Sequence, residues 1–195
     1  MKTSFRIFAL ICFALFLSSS GFAKEAKYVG VKKCKSCHKK SKLGNAYKVW
    51  TDTKHSNAYK TLLTSAAKKE AKRAGIKESP EKAFECLVCH VTAPEAPKSK
   101  FSKSYKMKDG VSCESCHGPG SKYRKKKIMV KLRKEYLKGG NTLAKKYEYD
   151  HGSQSTCTDR CHRPEVTING VTYKNRAFKK FDVKAAMKII AHPLP

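Results

Sequence analysis

Eight cysteines fall into four groups, and a histidine directly follows each group. They are Cys34-Lys35-Ser36-Cys37-His38, Cys86-Leu87-Val88-Cys89-His90, Cys113-Glu114-Ser115-Cys116-His117 and the longer Cys157-Thr158-Asp159-Arg160-Cys161-His162. Two thiols so spaced can add to the two vinyl groups of one haem, while the adjoining imidazole binds its iron. Two blander chemistries use the same cysteines: disulfides in a secreted chain, and structural zinc. Neither needs a histidine immediately after the second cysteine, and neighbouring Cys and His side chains diverge too far to share a zinc ion. With 7 histidines in 195 residues, four such placements are not chance. The motifs therefore predict four covalently bound haem c groups. Cys34, Cys37, Cys86, Cys89, Cys113, Cys116, Cys157 and Cys161 supply the thioethers, and His38, His90, His117 and His162 the proximal iron ligands.

The remaining histidines, His55, His151 and His192, are candidate distal ligands, with Met129 as a further possible donor. Three histidines cannot serve four irons. At least one haem must carry methionine, lysine, a small molecule or nothing on its distal side. A six-coordinate iron suits electron transfer, whereas an open one can bind a small ligand.

Short helices must position these side chains. From Asn45 the pattern predicts a helix carrying Tyr47, Ala58, Tyr59 and Leu62 on the side of His55. Helical character continues through Ala66 to Ala74 and stops at Gly75. Ser79-Pro80-Glu81 begins a short helix that delivers Cys86 and Cys89. Gly118-Pro119-Gly120 reverses the chain after the third motif. Residues Ile128 to Lys146 read as one or two helical pieces interrupted at Gly139-Gly140. Val166 to Tyr173 alternates about Asn169-Gly170, which predicts a β-hairpin. Asp182 caps a last helix with Val183, Ala186, Met187 and Ile190 on one stripe, and His192 follows it. The fold class expected is mostly α, with short helices packed around four haems and one small β-hairpin.

Residues 1–23 have the three-part pattern of a secretory signal: Lys2 and Arg6, an apolar run from Ile7 to Leu17, and small residues ending at Ala23. Cys12 leaves with this segment. The 11-residue run is too short to span a bilayer, and the mature chain has no other candidate span. Residues 24–195 form one expected domain, exported to the periplasm or beyond the cell, with a formal charge lowered from +28 to +26. At 40% hydrophobic residues its protein core is thin, and four porphyrins would fill it. No nucleic-acid motif accompanies the charge. The partners expected are redox proteins with acidic docking surfaces, with anionic membrane surfaces also compatible. The run Lys122, Arg124, Lys125, Lys126 and Lys127 is the candidate docking patch.

The order of motifs resembles the tetrahaem cytochrome c-554 family, known as the electron acceptor of hydroxylamine oxidoreductase in ammonia oxidisers. The resemblance rests on Cys34 to His38, Trp50-Thr51-Asp52-Thr53-Lys54-His55, Cys113 to Gly120, and Phe181-Asp182 followed by His192. It implies a mostly helical fold with four haems in close stacked and crossed pairs. It further implies that His55 serves the fourth haem and His192 the third, and that the second haem, on His90, is five-coordinate. Two departures stand out. The family's distal histidine for the first haem has no counterpart between Ser121 and Met129, which leaves that duty to His151 or Met129. The extra residue in the fourth motif is the other. The leading function is electron transfer between redox partners in a respiratory chain. The alternatives are an enzyme reducing a nitrogen oxide or peroxide at an open haem, and a subunit of an extracellular cytochrome filament.

Overall fold

A computed structural model describes residues 25–192; the expected signal segment, with its cleavage point at Ala23, lies outside them. Among the described residues the chain forms ten α-helices, none longer than 11 residues, several 3-10 turns and one two-stranded sheet. No described helix is long and apolar enough to cross a membrane. The mostly α fold with a single small hairpin is the one expected from the sequence.

Three of the four motifs are wholly helical, and the fourth is helical up to Arg160. Helix α1 (Val31–His38) holds the first, and α2 (Ala46–Thr51) and α3 (Ala58–Leu62) follow. After α4 (Ser65–Arg73), α5 (Phe84–His90) holds the second motif and α6 (Cys113–His117) the third. Helices α7 (Lys126–Tyr136) and α8 (Thr142–Tyr147) form a hairpin, and α9 (Gln154–Arg160) carries most of the fourth motif. Strands β1 (Glu165–Ile168) and β2 (Val171–Lys174) pair antiparallel before α10 (Val183–Ile190).

The segment around His55 is not the single helix its pattern predicts. It breaks into α2, a 3-10 turn at Lys54–Asn57 and α3, with Thr53 extended. The cause is local competition for backbone groups. Thr53 Oγ1 donates to the Trp50 carbonyl, and Ser56 Oγ donates to the carbonyls of Thr51 and Thr53. Likewise Ser79 to Lys82 closes a separate turn, and extended Ala83 precedes α5.

Other local signals hold. Gly75, at φ +71°, ends α4 with Ile76 N–H bonded to the Ala71 carbonyl. Asn169 and Gly170 take φ of 51° and 78°, the left-handed pair of a tight hairpin turn. Asp182 Oδ1 caps α10 by accepting from Ala185 N–H at 3.1 Å.

The protein core is divided. Leu62, Leu87 and Val91 form one cluster; Tyr123, Leu132 and Ala144 form the other, with Met129 packed against it. Polar bonds link the parts. Buried Thr92 Oγ1 donates to the Gly110 carbonyl and lies 2.8 Å from the hydroxyls of Ser112 and Ser115, which fastens the segment after α5 to α6. Trp50 Nε1 donates to the Val111 carbonyl at 2.8 Å.

Candidate haem-binding site

The third motif is the most deeply held of the four. Glu114, between its two cysteines, is 2% exposed. One carboxylate oxygen accepts from Val29 N–H at 2.8 Å and Gly120 N–H at 2.7 Å, and the other from Gly30 N–H at 2.7 Å. Burial raises its pKa above the usual carboxylate value, and the three N–H donors partly offset that. The Gly-Pro-Gly reversal brings Gly118, at φ +75°, so near the Glu148 carbonyl that a Cβ there would lie at 2.7 Å. Only glycine fits this position.

Thiols connect the motifs in pairs. The Cys34 and Cys113 thiols are near neighbours, as are those of Cys89 and Cys161. That contact and burial hold Cys34 and Cys161 well above the ordinary thiol range. The first motif therefore lies beside the third, and the second beside the fourth. None of the eight motif cysteines is held in a disulfide, so every thiol is available to add to a vinyl group. Among the described residues no three His, Cys, Asp or Glu side chains converge as a metal cage.

The histidines face one another across gaps. The rings of His55 and His162 have centroids 6.0 Å apart, and those of His117 and His192 are 5.8 Å apart. A metal bonded to both imidazoles at about 2 Å would separate the centroids by about 6 Å. Burial lowers the pKa of all four rings, which favours the neutral, ligating form. His117 Nδ1 lies 2.8 Å from the Asp150 carbonyl, and His90 Nδ1 lies 2.8 Å from the Ala58 carbonyl. An Nδ1–H donated there leaves Nε2 free for a metal. Phe181 stacks on His162 at 3.8 Å, and Tyr149 on His117 at 5.6 Å, fixing ring orientation from behind.

His151 is placed differently. Its ring stacks on Tyr136 at 4.2 Å and meets Tyr149 edge-on at 4.8 Å, in a cleft of about 690 Å³. Its Nε2 is buried with no hydrogen-bond partner among the described residues. Met129 lies in the apolar cluster of the α7–α8 hairpin. The charge of His38 opposes protonation of both His117 and His192, a further sign that the first and third motifs are neighbours.

Comparison with known proteins agrees with this geometry. The family described as "Cytochrome c554 and c-prime" matches residues 33–118. Cytochrome c-554 of Nitrosomonas europaea is 33% identical over 172 residues, covering 85% of this chain and 69% of its own length. The chain belongs to the cytochrome c-554 family. No solved structure matches it.

As a member of the cytochrome c-554 family it is a c-type cytochrome electron carrier with covalently bound haem, and its partners are redox proteins. The residues fit that group. Free thiol pairs, ring pairs spaced for a metal, and a buried imidazole nitrogen without a partner are what covalent haem would use. The haem supplies the one-electron chemistry, while the chain orients imidazoles and excludes water.

Sequence reasoning missed the clamp made by Glu114 and the backing ring Tyr149, and it singled out Phe181 only as part of the family resemblance, without a role. Glu114 carries a weak signal, being a carboxylate placed between the two cysteines of a motif. The stacking of Tyr149 on His117 joins separate segments and leaves no local trace.

Proposed function

We propose that residues 24–195 form an exported tetrahaem carrier that passes single electrons between redox partners of a respiratory chain, with residues 1–23 removed as a signal peptide. The haems attach at Cys34 and Cys37, Cys86 and Cys89, Cys113 and Cys116, and Cys157 and Cys161. His38, His90, His117 and His162 are the proximal ligands. His55 opposes His162 on the fourth haem, and His192 opposes His117 on the third. The observation that carries this reading is the pair of facing rings at 6.0 and 5.8 Å. The shared thiol contacts support close packing of the first haem with the third and of the second with the fourth.

His151, with its unpartnered Nε2, is the distal donor assigned to the first haem; Met129 is the reserve. The two facing ring pairs involve neither His38 nor His90, and the family resemblance makes the second haem, on His90, the open one. An open iron there would support a second reading, in which it binds a nitrogen oxide or a peroxide. Acidic redox proteins dock at Lys122 to Lys127, where α7 begins and, among the described residues, only Lys122 has an acidic partner, Glu148. Anionic membrane surfaces would meet the same charge.

Intact mass of the exported protein tests the haem count. Four haems beyond the mass of residues 24–195 are expected, and a smaller increment would contradict the reading. Nitric oxide added to reduced protein should form one nitrosyl haem. If none forms, the open-site reading fails and the carrier reading stands.

A further inference from the structure

The fourth motif exceeds the others by one residue, and the structure shows what absorbs it. Cys157 and Cys161 lie four residues apart around the end of α9, so they still share a helix face. His162 N–H bonds to the Cys157 carbonyl at 2.9 Å, a five-residue step where an ordinary helix takes four. The histidine thus returns toward its first cysteine despite the insertion.

The widened turn directs Arg160 at the second motif. Its Nη1 donates to Glu95 Oε1 at 3.0 Å, Nη2 donates to Oε2, and Nε reaches the Val88 carbonyl at 3.4 Å. Val88 lies between Cys86 and Cys89, and Glu95 follows five residues after His90. The adjoining Cys161 lies beside Cys89. The two motifs therefore meet at this ion pair and at the Val88 carbonyl. The pair is sheltered, with side-chain exposures of 33% and 27%, and its two-point geometry needs the planar fork that a lysine lacks.

We infer that Arg160 is a positioning residue that fixes the fourth haem motif against the second and so sets the electronic contact between their haems. The inference rests on the four-haem reading. The competing explanation is an incidental ion pair, but such pairs are exposed and make no third bond to a motif backbone.

The test uses the holoprotein with Arg160→Met and Glu95→Gln, the second being nearly isosteric and so suited to the case in which the first does not fold. Intact mass is taken first. Fewer than four haems in the unaltered protein would defeat the four-haem reading itself. With four present, low-temperature EPR and potentiometric titration read the inference. The second and fourth haems should change in spectral shape and midpoint potential, and the first and third should not. Arg160→Lys should fail to restore them, and the exchanged pair Arg160→Glu with Glu95→Arg should restore them in part. Unchanged spectra and potentials in Glu95→Gln overturn the inference.

Discussion

The third and fourth motifs hold their cysteines and histidine by opposite means. The third is locked from within, by a carboxylate buried among three backbone donors. The fourth is longer by one residue and is steadied from outside, by an ion pair still about one third exposed. A buried clamp is rigid and costly to disturb, whereas a sheltered surface pair orients without contributing much stability. The pairing of motifs spreads both strategies across the molecule, since the third lies beside the first and the fourth beside the second.

Removing each clamp should separate the two regions most widely. Glu114→Ala leaves three buried N–H groups unpaired and should cost about 3 kcal/mol or more, read by denaturant unfolding of the holoprotein. Glu95→Ala should cost about 1 kcal/mol or less. Equal losses would erase the contrast.

Ligand deletion should sharpen it by motif. His192→Gly should make the third haem high-spin and leave the fourth unchanged, and His55→Gly should do the reverse. Optical and EPR spectra of the oxidised variants check both.

The contrast also has a pH signature of opposite sign. Burial opposes ionisation of Glu95, but hydrogen bonds from Arg160 outweigh it and depress its pKa below 4.5. Its contribution is present above that value and is lost as pH falls through the depressed one. The pKa of Glu114 is raised by burial. Its contribution is full below 4.5 and is lost as pH rises through the raised value. Acid should therefore loosen the fourth motif first. Hydrogen exchange at residues 157–162 and 113–118 across this range would show it, and protection lost first around Glu114 would contradict it.

The smallest structural effect is expected at the surface. Replacing Lys125, Lys126 and Lys127 by glutamate should slow association with an acidic redox partner by about tenfold at low ionic strength, with the difference fading in high salt. Stopped-flow mixing measures it, and both clamps should be untouched.

Much of this was legible in the sequence because it is local. The Asn169-Gly170 turn, the Asp182 cap and the Gly139-Gly140 break each depend on a few neighbouring residues, and each appears in the structure where expected. The helix expected around His55 broke because threonine and serine side chains satisfy backbone groups that a helix would use. The clamps were hidden for another reason. Glu114 meets residues more than 80 positions away, and Arg160 meets Glu95 across 65. No periodicity records such contacts. The facing of His55 with His162 and of His117 with His192 joins equally distant segments. Only the family resemblance offered that pairing in advance.

The central claim is that these two ring pairs each hold one iron. Low-temperature EPR of the fully oxidised protein beside its His55→Gly variant tests it most directly. One low-spin signal should give way to a high-spin signal in the variant, with the third haem's low-spin signal retained. An unaltered spectrum would show that His55 binds no iron and that the 6.0 Å approach to His162 is packing alone.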